Sequence, residues 1–204
     1  MATKKSKELT EEEEKTTLLA QLGFGYVRLM KGGGRVKRFH TEHIIGEELV
    51  ATHTFGVICC VMALTDRKAS RNLILAALYH DIDEQISGDA PGPFKWANPA
   101  FNMMLTRMHE DFARAHGLHI DLTIEERNTL DWADKFDVLM TCYEQQRLGN
   151  ELGREMCSRV VRSMVGLPEH PIGSRMLELW IEQHPEHAKP VEQEKDFYAK
   201  CRAD

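Results

Sequence analysis

An all-α bundle of six or seven helices is the fold this sequence predicts. Two helix-opening signatures are explicit: Thr10 with Glu13, and Thr123 with Glu126, each a hydroxyl followed three residues later by a carboxylate that can cap it reciprocally. Apolar residues recur near a 3.6-residue period, and the two-residue alternation of strands is nearly absent. With 204 residues, 42% of them hydrophobic and 28% charged, the chain can bury one real core and is too apolar to be disordered.

The elements follow in order. Residues 1–9 read as a disordered tail, and a helix opens near Glu11 with Leu18, Leu19 and Leu22 expected inward. Lys31 to Arg38 contains three glycines but lacks the phosphate-loop pattern and any preceding strand, so it reads as a mobile, solvated, locally basic connection. A helix begins near Glu47, carrying Leu49, Val50, Phe55, Val57, Ile58, Val61 and Met62. Another runs from Asn72 to Ile86 and is apolar enough to be central. Ser87 to Trp96 is a Pro/Gly loop. Residues 98–116 resume helix, with Phe101, Met104, Leu105, Met108 and Phe112 periodic, and stop at Gly117. The Thr123 cap starts a long helix to about Leu148, with Leu130, Ala133, Phe136, Leu139 and Met140 on its inner stripe. Helices follow over 151–165 and from Gly173 to about His184, so the main domain spans 10–184 and 185–204 is a peripheral segment with a polar, helix-capable stretch at 190–202.

Charge and cysteine usage exclude several classes. The net charge of −6 gives no bulk basic footprint for duplex nucleic acid. No run approaches the roughly 20 apolar residues that span a bilayer. The Lys- and Glu-rich start is no secretory signal, and five cysteines, an odd number, read as reduced thiols of a cytoplasmic protein. Cys142 and Cys157 lie on apolar stripes and read as packing.

Chemistry concentrates in Tyr79-His80-Asp81-Ile82-Asp83-Glu84, where an imidazole and a carboxylate sit side by side on a strongly apolar segment. An unpaired carboxylate loses several kcal/mol of solvation on burial, and a divalent cation removes that cost by binding both groups. His53 and Asp134 are likewise polar residues inside apolar helices. Two imidazoles and two carboxylates suit a divalent ion such as Zn, Co, Mn or Mg. Taken singly, each has a plainer reading, a helix-packing histidine or a salt bridge of Asp134 with Lys135.

The order His53, His80-Asp81, Asp134 resembles the HD-domain metal-dependent phosphohydrolases. Within that superfamily, Tyr79 to Lys95 is similar to the bacterial 5′-deoxynucleotidases of the YfbR type, whose pattern is Tyr-His-Asp, a Glu three residues on, then Gly-Asp-x-Pro-x-Pro and Lys. Arg38-Phe39 stands where those enzymes carry Arg-Trp. The resemblance covers about residues 35–140. It implies that His53, His80, Asp81 and Asp134 hold the metal, that Glu84 handles the proton of water or leaving oxygen, and that Asp89 orients water or polarises Glu84. It also implies that Arg38 and Lys95 hold phosphate oxygens and that Phe39 lies against base or sugar. A divalent ion acidifies water toward neutral pH, and phosphoryl transfer needs positioning and charge neutralisation above all.

The departures are informative. Phe39 lacks the indole donor of the family's Trp. The position three before the last ligand, often Lys, is Asp131, and Lys135, the nearest replacement in sequence, falls on another face of the helix. The compact spacing of the ligands is similar to the phage dATP triphosphohydrolases of the DatZ type. The expected activity is hydrolysis of the 5′ phosphate ester of a 2′-deoxynucleotide, dATP foremost, with dNMP hydrolysis as the alternative and a non-catalytic nucleotide-binding helical module as the third reading. The expected partners are a small deoxynucleotide and further copies of the chain, and neither duplex nucleic acid nor membrane. His40-x-x-His43 is a weaker i, i+3 metal pair on a helix, His40 also being able to reach a phosphate. His109, His116 and His119 are expected to face solvent.

Overall fold

The computed structural model describes residues 10–188, so the expected tail 1–9 and the stretch 190–202 lie outside the described residues. Nine α-helices and one 3₁₀ turn make up the described fold: α1 Glu11–Gly33, α2 Val50–Leu64, α3 Arg71–Tyr79, α4 Glu84–Ser87, α5 Gly92–Ala97, α6 Pro99–Ala115, α7 Ile124–Arg147, α8 Gly153–Val165, α9 Pro171–Gln183, then Pro185–His187. Both capping boxes form, at Thr10 and Thr123. The all-α class is as expected, and the one β-bridge among the described residues joins Lys37 to Leu49.

Helix α7 is the spine, flanked by α2, α3 and α8. Val57, Val61, Leu73, Ala133, Phe136, Leu139, Cys157, Val161 and Met164 fill the space between them. A smaller cluster of Ile82, Phe112 and Leu118 seats Leu29 and Met30 at the end of α1. Cys142 and Cys157 are buried free thiols, and burial pushes Cys157 up to about 12, which leaves it an inert packing group.

His170 caps α9. It accepts the Gly173 N–H at Nδ1 (3.0 Å) and lies 3.2 Å through Nε2 from the Thr129 hydroxyl. That hydroxyl donates to the Glu125 carbonyl, so Nε2 carries the ring proton. His187 is fully buried against Trp180, with Nδ1 3.2 Å from Ser158 Oγ.

Several expectations are corrected. The predicted helix 72–86 breaks after Tyr79. Ile82 and Glu84 donate backward three residues, to the Tyr79 and Asp81 carbonyls, so His80-Asp81 sits on tightened turns rather than mid-helix. Leu18, Leu19 and Leu22 are 56, 60 and 62% exposed because α1 projects past the body. Phe55, Met104 and Met140 are also exposed, each lying on an outer helix face. The Lys31–Arg38 segment is not a solvated connection: α1 continues through Gly33, and Gly33 and Gly34 are buried.

The reason is close approach. A Cβ on Gly33 would fall on the Ile82 backbone, and one on Gly34 would crowd Ala51. The Ile82 backbone follows directly from His80-Asp81, so the glycine lets α1 lie against the turn that carries them. In a free helix Gly→Ala stabilises by about 1 kcal/mol. Here the obstacle is backbone and cannot swing aside, so overpacking wins. Gly33→Ala is expected to lose about 1–3 kcal/mol, read as a fall in thermal midpoint; an unchanged or raised midpoint contradicts the close approach.

Candidate metal centre

His53 lies in the first turn of α2, 1% exposed, because that face packs on α7. Asp134 and Asp137, one turn apart on α7, face it. His80 caps the end of α3, and its Nδ1–H donates to the Ala77 carbonyl at 2.8 Å. A carbonyl can only accept, so the proton is on Nδ1 and Nε2 is left as a lone pair. His53 Nδ1 is 2.6 Å from Asp137 Oδ2, which likewise places a proton on Nδ1 and turns Nε2 into the site.

The two Nε2 atoms stand 3.1 Å apart. Asp134 Oδ1 is 3.2 Å from His53 Nε2. Asp81 Oδ2 is 3.4 Å from His53 Nε2 and 3.3 Å from His80 Nε2. Donor atoms of His53, His80 and Asp134 all lie within 4.8 Å of one another. Acceptors converging this closely repel unless a positive charge sits among them, either a proton on His53 or a metal ion. An N₂O₂ donor set with neutral imidazoles fits a divalent cation.

Every other expected site residue lines one cavity with Asp81 and Asp134: Arg38, Phe39, Glu84, Asp89 and Lys95, with His40, Lys135 and Arg159 beside them. Arg38 donates to Asp81 Oδ2 at 2.6 Å. Burial works against its charge, but Asp81, Asp134, Asp89 and Glu84 outweigh that and keep it protonated. Glu84 is 4% exposed, and its Oε2 has no hydrogen-bond partner. Burial, then Asp81 and Asp89, push its carboxyl up to about 9. Burial also opposes ionisation of Asp134, yet Lys135 and the imidazoles hold it well below the usual range.

Residues without a local signature complete the site. Asp137 orients His53, and Gly56 permits it: a Cβ there would occupy the Asp137 carboxylate position. The signal was a glycine one turn after His53 and a second aspartate one turn after Asp134. Lys135 does reach the site, correcting its expected orientation; its long stem brings Nζ to 2.6 Å from Asp134 Oδ2.

The loop bearing Arg38 and Phe39 is tied down on both sides. Arg38 N–H donates to the Glu48 carbonyl. Gln145 holds both backbone groups of Ile45, and Asn150 holds the His43 carbonyl. Phe39 sits at φ 54°, in the left-handed region, and its N–H donates to Asp89 Oδ2 at 3.2 Å. His40 and His43 lie on this loop and not on a helix, and the metal-capable cluster does not include them. His109 is not solvent-facing: its Nε2 is 3.0 Å from Asp83 Oδ2, though neither atom has hydrogen-bond geometry.

This helical architecture is the HD-domain fold, and His53, His80 and Asp134 form a cluster that could hold a metal ion. More particularly, residues 24–118, just under half of the chain, match the family described as 5′-deoxynucleotidase YfbR-like. Among solved structures, an HD-domain phosphohydrolase from Listeria innocua aligns at 19% identity over 88% of this chain and 96% of its own, with a TM-score of 0.63. The cyanophage S-2L HD phosphohydrolase DatZ, bound to dA and one catalytic Zn²⁺ ion, aligns at 16% identity over 77% and 94%, with a TM-score of 0.57. A protein from Pyrococcus horikoshii gives 17% identity, 76% and 96%, and 0.56. At these identities the likeness is one of fold. No curated protein matches the sequence. Among the described residues, no helix is long and apolar enough to cross a membrane.

Two expectations follow. Burial alone would lower the His53 pKa, but its bonds to Asp134, Asp137 and Asp81 raise it from 6.5 to about 10 in the cation-free protein. A raised base contributes stability that is full below its unfolded value and lost as pH climbs through about 10. A metal must displace that proton, so Zn²⁺ affinity should rise about tenfold per pH unit around neutrality, with one proton released per ion. Calorimetry in buffers of different ionisation enthalpy reads this, and pH-independent affinity would contradict it. Asp137→Ala should weaken Zn²⁺ binding about 10–100-fold while the fold persists, checked by competition with a chromogenic chelator.

Proposed function

We propose that this chain hydrolyses the 5′ phosphate ester of 2′-deoxynucleotides, releasing the deoxynucleoside, with dATP as the best substrate and triphosphate as the leaving product. The observation that carries the reading is a single cavity in which Asp81 and Asp134 of the His/Asp cluster are bordered by Arg38, Lys95, Lys135 and Arg159. Cations at this density around a cluster of carboxylates suit a polyanion that bridges both. DatZ, of the same fold, is described with dA and Zn²⁺.

In this reading His53, His80, Asp81 and Asp134 hold a divalent ion, which polarises the phosphate and acidifies water when bound. Arg38, Lys95 and Lys135 neutralise phosphate oxygens as charge develops on them. Phe39, with Val138, Met156 and Val160 along the cavity wall, offers an apolar bed for the nucleoside. Water oxygen bonds to the α-phosphorus, the bond from phosphorus to O5′ breaks, and one proton reaches O5′. Glu84 is the group to move that proton, being buried, unpartnered and poised to hold it at neutral pH. Asp89 acts through the backbone of Phe39, whose N–H it accepts.

The family description over residues 24–118 favours a second reading, in which dNMPs are hydrolysed to orthophosphate at the same site. Incubation with dAMP, dATP and ATP in parallel, with the phosphate products identified, separates the two. Triphosphate from dATP, with ATP spared, is expected. Orthophosphate from dAMP alone supports the second reading, and inertness toward all three sinks both. Glu84→Gln should keep Zn²⁺ and lose about 10²–10⁴-fold in turnover; undiminished turnover would assign the proton elsewhere.

A further inference from the structure

The cavity runs on past the His/Asp cluster. Asp134, Val138 and Cys142 lie on successive turns of α7 and all three line it, a span of roughly 12 Å. Met156, Val160 and Ser163, on one face of α8, form the opposite wall. Beside them an ion pair bridges loop and helix: Arg159 Nη1 donates to Glu42 Oε1 at 3.1 Å, with the two side chains 18 and 24% exposed. The Cys142 thiol, raised chiefly by burial, also feels the charges of Arg159 and Glu42, which puts the pair toward the end of the cavity away from Asp134.

Holding the loop does not require this pair, since Gln145 and Asn150 already fix Ile45 and His43. Nor is the pair a seat for phosphate. Arg159 adds to the positive field of the cavity, but an anion seated on it would meet the carboxylates of Glu42 and Glu155. What the pair offers is a donor and an acceptor side by side. A guanidinium has several N–H donors and a carboxylate several acceptor positions, so their mutual bond exhausts neither. Glu42 also lies within one turn of Phe39, its N–H donating to the Phe39 carbonyl at 2.9 Å. An apolar face and a polar edge are therefore set together.

The base edge that matches is adenine's. Its C6 amino group donates, and the ring nitrogens to either side, N1 and N7, accept. A carboxylate takes the amino N–H while a guanidinium donates to the neighbouring ring nitrogen. Guanine and hypoxanthine carry a carbonyl oxygen at C6, which would face the carboxylate with no proton between them and leave both unpaired. Cytosine has the same amino edge on a single ring, which reaches less far. With the 5′ phosphate at the His/Asp cluster, as the reading above has it, the base extends past Phe39 along the α7–α8 wall. Resting on that reading, we propose that Glu42 and Arg159 read the amino edge of the nucleobase and make the site selective for 6-aminopurines.

Calorimetric titration of the full chain, in the presence of Zn²⁺, with 2′-deoxyadenosine and with 2′-deoxyinosine tests this apart from hydrolysis. Deoxyadenosine should bind about 10–100-fold tighter. Glu42→Gln should reverse the order, because its amide can still accept from Arg159 while donating to a C6 carbonyl. A tie that is only structural would lower the thermal midpoint of Glu42→Gln and leave the ratio of the two affinities as in the wild type. That result overturns the proposal, as do equal affinities in the wild type or no binding of deoxyadenosine. Turnover of dATP and dITP at equal kcat/KM likewise overturns it and leaves the proposed hydrolysis standing. Discrimination between the nucleosides by a chain that hydrolyses no deoxynucleotide upholds the base-reading role and overturns the hydrolysis instead.

Discussion

Two imidazole Nε2 atoms 3.1 Å apart, with carboxylate oxygens of Asp81 and Asp134 within 3.4 Å of them, form an arrangement that ordinary core packing avoids. Lone pairs converging in a partly buried space repel, and only a cation at their focus turns that repulsion into attraction. The surroundings hold the arrangement in place. Asp137 fixes one ring, the Ala77 carbonyl fixes the other, Arg38 draws on Asp81, and Lys135 on Asp134. For His53, His80 and Asp134 the partner acts on the far side of the donor group, so the near side stays directed inward, whereas Arg38 holds the same Asp81 oxygen that faces the imidazoles. Much of the fold serves this focus: α2 and α7 must lie close enough for Asp137 to reach His53, and Gly56 provides the room.

The same constraint explains the electrostatics of the cavity. Asp81 and Asp134 are held ionised by neighbours despite burial, whereas Glu84, a few residues away, is pushed in the opposite direction. The difference is one of partners. Asp81 has Arg38 and two imidazoles, and Asp134 has Lys135 and His53, while Glu84 has an orphaned oxygen and two anionic neighbours. Carboxyls within one cavity are thus divided into two held ionised and one pushed toward its protonated form, a separation of the kind acid–base chemistry at neutral pH uses.

What could be read from the sequence divides along the same physical line. Local signals survived folding: both capping boxes, the stop at Gly117, and the apolar stripe of α7 through Ala133, Phe136 and Leu139. His53, His80, Asp81 and Asp134 could be singled out because each is polar in an apolar run. Asp137 could not, since its role arises only when α2 lies against α7. Gln145 and Asn150 were invisible for the same reason, their partners being backbone groups about a hundred residues earlier. The break after Tyr79 was hidden because no glycine or proline marks it and the apolar run continues through Ile82 and Ile86. Gly33 and Gly34 looked like a solvated linker because a glycine needed for close approach and one needed for flexibility are spelled alike.

The loop from Arg38 to Gly46 shows how the less regular half of the site is made as exact as the helical half. Phe39 at φ 54° is in a conformation that costs a non-glycine residue free energy of order 1 kcal/mol or more, and it persists only if the surroundings over-determine it. They do so from three directions. The bridge between Lys37 and Leu49 fixes the entry, Gln145 and Asn150 fix the exit, and Asp89 takes the Phe39 N–H from across the cavity. The left-handed turn is what lets adjacent residues diverge, Arg38 toward Asp81 and Phe39 against the buried core. An extended residue at 39 would send the chain away from Asp89 and release Arg38 with it. Asp89 is therefore linked through backbone geometry to Arg38, and through Arg38 to the Asp81 carboxylate.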